Sequence, residues 1–326
     1  MPTRVHALPT EQELVLDQLN TQSVLHPSGP HADAVAGLSW VLFYGGGAIL
    51  MLVMALTAYA IWAPERGRWA SDKRFIIVGG LIFPIVTLSA LLIYGFSIAR
   101  AVVTPASPAD LRIEVTGEQW WWRVHYLDDN GAIDFVTANE LRIPAGRAVD
   151  VILKSADVIH SFWVPNLAGK LDMIPGHVKR LRINADREGV FRGQCAEYCG
   201  GPHAQMAFYV IAQDAASFEA WRESQRRAAT PPADATSRHG ESLFLASCAA
   251  CHTVRGTSAR GTLGPDLTHL GSRLSIAAGI LPNNRGALAG WISSSQHIKP
   301  GNLMPSMNLY SGEELNALAT YLAALR

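Results

Sequence analysis

The sequence predicts a multidomain membrane protein: a two-helix transmembrane hairpin, then an exported β domain, then a small all-α domain. Three observations predict this. Two long uncharged apolar runs lie near the N-terminus, short alternating segments broken by turn residues fill the centre, and the last ninety or so residues carry helical patterns at both ends. The 326 residues suffice for two or three domains, and a hydrophobic share of 49% with 28 glycines is high for a purely soluble enzyme. Basic and acidic residues balance at 27 each, so the overall charge speaks for no nucleic-acid partner.

From Ala34 to Pro64 there is no charged side chain, and the apolar residues inside that interval exceed the roughly 20 needed to cross hydrocarbon as a helix. A second uncharged run extends from Phe75 to Ala99, with Pro84 inside it as an expected kink. Arg66, Arg68, Lys73 and Arg74 crowd the short connection, whereas residues 21–40 hold no Lys or Arg. The connection is therefore expected on the cytoplasmic side, with both termini and residues 100–326 outside. No charged, apolar and small-residue succession of a cleavable signal precedes the first span, so that span is expected to serve for export. The expected division is an exported segment 1–37, span 38–62, cytoplasmic loop 63–74, span 75–99, a β domain 100–221, a linker 222–237 and a helical domain 238–326.

Strand-like segments are "LRIEVTG", "VDVILKS", "HVKRLRINAD" and "MAFYVIA", separated by Gly, Pro and Asp/Asn turns, which suggests a sandwich or barrel. The pattern fails in "RESQRRAATPPADATSRH", where Arg and Ala surround a Pro-Pro pair, hence the linker from Arg222 to Ser237. Beyond it "GESLFLASCAACH" and "SGEELNALATYLAALR" read as helices, with Ser311 as N-cap of the second. The apolar content between them is modest, so a cofactor is expected to fill that core.

Two motifs carry chemistry. In "CAACH", Cys248 and Cys251 stand one helical turn apart with His252 directly after, the arrangement that binds haem through two thioethers and supplies an axial imidazole. A thioredoxin-like pair would want a βαβ setting and a zinc site a second ligand pair, and neither is present. A sixth ligand is offered by Met304 or Met307 in "KPGNLMPSMNLY". The other motif is "CAEYCGGPHAQM", with Cys195, Cys199, His203 and Met206. Thiolate, thioether and imidazole together favour copper over zinc. Two thiolates on one loop, with His160 of "SADVIHSFWVP" as a distant second histidine, allow both sulfurs to bridge two coppers. A Cys195–Cys199 disulfide is the alternative in an oxidising compartment.

With these residues in view, the sequence resembles cytochrome c oxidase subunit II fused to a C-terminal cytochrome c domain, the caa3-type arrangement. The resemblance runs from about Asn20 onward through the hairpin, "GEQWWWRVHY", "DVIHSFWVPNLAGKLDMIPG" and "CAEYCGGPHAQM". It implies a cupredoxin-like Greek-key β-barrel and a class I cytochrome c domain. It also implies a binuclear copper centre, CuA, held by His160, Cys195, Cys199, His203, Met206 and the Glu197 carbonyl, with the Glu197 side chain near a magnesium ion at the boundary with subunit I. Trp120, Trp121 and Trp122 match the family's aromatic cluster, Trp120 being where electrons would enter. The cytochrome resemblance favours Met304 as axial ligand of a covalent haem c, sets Gly240 and Phe244 against the C-terminal helix near Tyr321, and places Pro265 beside the axial histidine.

The implied function is electron transfer in a respiratory oxidase of a bacterial inner (plasma) membrane. Electrons would arrive from cytochrome c or a quinol-cytochrome c reductase, pass through haem c to CuA, and go on to the oxygen-reducing centre of subunit I, coupled to proton translocation. This chain would hold no oxygen-reducing site. Subunit III and the lipid bilayer are further expected partners, nucleic acid is not. The rival readings are an electron-input component of a nitrogen-oxide reductase and a membrane-anchored copper or redox carrier. One departure stands out: many family members have a carboxylate near the start of the second span, and here none lies between Phe75 and Ala99, Asp72 being nearby.

Overall fold

The computed structural model describes residues 22–62, 72–102 and 111–326. Arg66 and Arg68 lie outside these residues. Two compact units emerge, one holding the apolar helices and the other everything from Leu111 onward together with the segment just before the first helix.

The first helix, α1, spans Pro30–Trp62, so it begins well before the expected residue 38. Its 33 residues rise about 50 Å at 1.5 Å each. The second apolar helix is broken into three pieces: α2 (Lys73–Ile77), a π-helical turn (Val78–Ile82) and α3 (Phe83–Val102). Asp72 caps α2, its carboxylate accepting from the Arg74 N–H at 2.9 Å. Pro84 has no N–H to give, and the irregular turn sits directly ahead of it, which is where a proline disturbs the ladder. Both helices carry windows of mean hydropathy 2.0 and 2.6 with their side chains uncovered by protein.

The β domain is built of ten strands: β1 (Leu111–Glu118), β2 (Trp121–Leu127), β3 (Ile133–Ala138), β4 (Glu140–Pro144), β5 (Val149–Ser155), β6 (His160–Trp163), β7 (Leu171–Met173), β8 (Lys179–Ile183), β9 (Gly189–Cys195) and β10 (Ala207–Gln213). They form two five-stranded sheets, ordered β3-β2-β1-β5-β8 and β4-β10-β9-β6-β7. Alternation along the strands sends Ile113 and Val115, then Trp122, Val124 and Tyr126, into one core with Phe162, Phe191 and Phe208 of the other sheet. Each such aromatic or aliphatic side chain contributes about 1.5–3 kcal/mol by leaving water.

The segment expected as a linker from Arg222 is instead helical at both ends. Helix α4 runs Ala215–Arg226 and α5 runs Ala235–Ser247, so the irregular connection is only 227–234. The reason is tertiary. Asp214 caps α4, and Asp134 of β3 accepts from both Arg222 (3.2 Å) and Arg226 (2.8 Å). After α5 come a small hairpin of β11 (Ser275–Ile276) and β12 (Leu281–Pro282), then α6 (Arg285–Ile298) and α7 (Gly312–Ala324). Ser311 caps α7 in a reciprocal box with Glu314. Gly240 lets α5 cross α7 closely, since a Cβ there would sit 2.1 Å from the Ala317 carbonyl oxygen, and Phe244 meets Tyr321 with ring centroids 5.7 Å apart.

Candidate metal centre and haem motif

His160 opens β6, Cys195 closes β9, and the loop between β9 and β10 carries the rest. Strand pairing fixes the approach: Phe162 lies opposite Cys195, the Cys195 N–H donates to Met206 O at 2.9 Å, and the Ala196 N–H donates to Ser161 O at 3.0 Å. A short 3₁₀ turn, Gly201–Gln205, then folds His203 back. Cys195 Sγ lies 3.8 Å from Cys199 Sγ, 3.8 Å from His160 Nδ1 and 3.3 Å from Glu197 O. Cys199 Sγ lies 3.5 Å from His203 Nδ1 and 3.9 Å from Met206 Sδ. All the sequence-selected donors on this loop thus converge on one buried spot, and both cysteines are free thiols.

Electrostatics suit a soft metal. Cys195 is held far below the ordinary thiol range by the S–H of Cys199, against the opposing effect of burial. Cys199 is raised by the same contact, because its proton is the one the pair keeps. Burial acts to lower His160, yet the Cys195 thiolate and Asp157 carry it upward. Asp157 accepts from His160 Nε2–H at 2.8 Å, which leaves Nδ1 as the nitrogen facing the sulfurs. Gly117 makes room for that ring, since a Cβ would come within 2.8 Å of it.

The three tryptophans do different things. Trp122 is fully buried among Phe162, Phe208 and His160, whereas Trp121 lies under the Arg123 guanidinium at 4.7 Å. Trp120 alone reaches the metal loop, its indole N–H donating to Cys199 O at 3.0 Å. Gln119 Nε2 donates to the same oxygen at 2.7 Å. The Glu197 carboxylate lies 3.5 Å from Lys170 Nζ and is half-buried.

In the helical domain, Cys248, Cys251 and His252 share one turn, the Cys251 and His252 N–H groups both bonding to Cys248 O. Burial pushes the Cys248 thiol up to about 11 and pulls His252 down. The His252 Nδ1–H donates to Pro265 O at 2.9 Å, freeing Nε2 for a metal. Gly264 is required there, because a Cβ would meet the imidazole at 2.5 Å. Met304 and Met307 both pack on the core of this domain, the first with its carbonyl held by Ser295 Oγ and Gln296 Nε2, the second with its N–H on Ile292 O.

Sequence reasoning missed three residues here. Asp157 stands three before His160, a spacing that could have flagged it as the partner orienting the ring. Gln119, beside the first tryptophan, gave no signal. Lys299, which opens "KPGNLMPSMNLY", drew no reading of its own and is only 2% exposed.

Comparison with known proteins gives two family matches on this chain. Residues 132–213 match the model described as cytochrome C oxidase subunit II, periplasmic domain, and residues 237–326 match cytochrome c. Cytochrome c oxidase subunit 2 of Alkalihalophilus pseudofirmus is 39% identical over 325 residues, covering 93% of this chain and 91% of the relative. The chain belongs to the cytochrome c oxidase subunit II family. Subunit 2 of Bacillus subtilis is also similar, 29% identical over 78% of this chain and 75% of its own. Among solved structures, the periplasmic domain of subunit II from Bradyrhizobium japonicum is 32% identical, covering 37% of this chain and 96% of that one, with a TM-score of 0.35.

Family membership makes this a subunit of a haem-copper oxidase, an oxidoreductase, anchored to a membrane by its two apolar helices. The β domain is cupredoxin-like, and the second match joins a helical cytochrome c domain to it, the caa3-type fusion. The first match implies CuA and the second haem c. The donor atoms described above fit both groups: His160, Cys195 and Cys199 offer ligand atoms within 4.8 Å of one another, and His252 presents an unengaged Nε2 beside two free thiols.

Proposed function

We propose that this chain is the electron-input subunit of a respiratory cytochrome c oxidase, serving the oxygen-reducing centre of subunit I in a reaction coupled to proton translocation. One observation carries the reading: a haem-attachment turn and a two-cysteine, two-histidine, one-methionine cluster lie in a single compact unit. His160, Cys195, Cys199, His203, Met206 and the Glu197 carbonyl would hold CuA, and Cys248, Cys251, His252 and Met304 would hold haem c. When bound, these groups would supply one-electron transfer chemistry.

The chain's own residues do the positioning. Asp157 and Pro265 each fix one imidazole, and the Trp120 indole ties the copper loop to the surface at which electrons would enter. The Glu197 carboxylate is the candidate for a magnesium ion at the boundary with subunit I. The domain division, with both cofactor domains outside the bacterial inner membrane, and the partners subunit III and a cytochrome c or quinol-cytochrome c reductase donor belong to the same reading.

The test is metal and haem content with copper EPR on the purified complex, for the native chain and for Cys195→Ser. Two coppers per covalent haem sharing one unpaired electron, lost in C195S together with turnover while haem stays attached, is the expected result. Normal turnover in C195S would overturn the reading, and copper that exchanges freely with a chelator would favour a carrier.

A further inference from the structure

The cytochrome domain and the copper loop meet along a seam whose centre is a buried lysine. Lys299 ends the helix α6 and begins the loop that leads to Met304. Its Nζ donates to Trp120 O at 2.6 Å, to Gln205 O at 2.8 Å and to Ala277 O at 3.3 Å. Two of these acceptors belong to the copper domain, one of them immediately before Met206, and the third belongs to the cytochrome domain. An ammonium has three donors, and here it finds three carbonyls.

The surroundings reinforce the contact. Gln205 Nε2 donates to Ile298 O at 3.1 Å, and the Ala207 N–H donates to Ala278 O at 3.0 Å. Ala277, Ala278 and Gly279 run in succession through the left-handed region, φ 56°, 62° and 77°, in a turn whose Ala277 carbonyl meets Lys299 and whose Ala278 carbonyl meets the copper domain. Gly301, at φ 85°, brings the methionine loop onto the six-membered ring of Trp120, where a Cβ would make contact at 3.7 Å. The same ring also meets Gly200 of the copper loop, where a Cβ would approach to 2.9 Å. Trp120 therefore touches both loops that carry the copper and methionine ligand candidates.

We propose that Lys299 is a positioning residue that clamps the methionine loop of the cytochrome domain onto Trp120, giving electrons a fixed internal route to the copper loop and closing the Trp120 face to other donors. The inference rests on the function proposed above and deepens it. It replaces a domain swinging on its linker by a docked one, so a high local concentration becomes a single geometry. The clamp makes and breaks no covalent bond.

The experiment uses the intact oxidase with the native chain, Lys299→Met and, in case K299M misassembles, Gln205→Ala. Three readouts are taken: amide exchange at residues 119–122 and 299–302, the rate of haem-to-copper transfer after flash reduction, and direct reduction of copper by added soluble cytochrome c. In K299M internal transfer should slow by about tenfold or more, as when a positioned pair is displaced by an ångström. Seam amides should exchange faster, soluble cytochrome c should begin to reduce copper directly, and haem potential and copper EPR should stay as in the native chain. Q205A should move the same readouts less far.

Unchanged amide exchange and an unchanged internal rate in K299M would overturn the clamp while leaving the electron-input function intact. A native complex without dicopper EPR would overturn that function instead. The amide readout needs no bound metal, so it judges the docking by itself.

Discussion

At His160 a single carboxylate decides which ring nitrogen faces the thiolates. Asp157 accepts a hydrogen bond from His160 Nε2–H at 2.8 Å, so its removal frees the ring to turn and to change tautomer. Asp157→Ala is expected to weaken copper retention by about 10- to 100-fold with the cysteines untouched, measured by chelator competition. The two methionines of the cytochrome domain separate by a similar test. Both main chains are pinned by hydrogen bonds, Met304 through Ser295 and Gln296 and Met307 through Ile292, so trimming either side chain should leave the loop in place. Met304→Ala should yield a haem that binds added cyanide or carbon monoxide, and Met307→Ala should not, as read from the optical spectrum.

Helix α4 shows how tertiary contacts order a short element. Phe218 is buried in the β-domain core, Trp221 packs on Tyr126 and Phe135, and the arginines pair with Asp134, some 90 residues earlier, contacts that no local window can contain. The hydrogen bond from Arg226 holds the Asp134 carboxyl below the usual carboxylate range, helped by Arg222 and opposed by burial. A carboxyl lowered on folding stabilises above its unfolded value and loses that contribution as pH falls through the folded one. Pepsin should therefore cut within Ala215–Arg226 more readily as pH falls through the lowered Asp134 value, and in Asp134→Asn this pH dependence should be lost with cutting faster throughout. Helix α6 was hidden for a different reason: Gly286, Gly290 and three serines blur its period, and it rests on the Asn284 cap and the burial of Leu288 and Ile292. By contrast β1, β5, β8, β10 and α7 were legible, since alternation and the Ser311 cap are local signals. Where α5 crosses α7 the fit is tight, and Gly240→Ala should cost the cytochrome domain about 1–3 kcal/mol, seen as a lower thermal midpoint of that domain.

Across residues 111–326 as a whole, the β domain and the cytochrome domain are joined by direct contacts as well as by their connection. Besides the Lys299 seam, Arg123 donates to Thr262 O at 2.8 Å, Arg142 to Ser272 O at 3.2 Å, and the Leu274 N–H to Glu140 Oε2 at 2.8 Å. Cutting the 227–234 connection with a protease should leave the cytochrome domain bound to the copper domain through gel filtration. The cluster of candidate donors on the metal loop was readable from the sequence because cysteine, histidine and methionine announce soft-metal chemistry wherever they gather. The seam was not, because a lysine and a few carbonyls look like any surface until the fold buries them. The grip of Lys299 also has a consequence for how such a chain can vary. Its three partners are main-chain oxygens, which every amino acid supplies alike. An ion pair between domains needs two side chains to be inherited together, but this fastening needs one. The ammonium's own hold therefore asks for a particular side chain only at position 299, while position 205 matters separately through its Nε2 bond to Ile298 O and position 277 through its left-handed backbone.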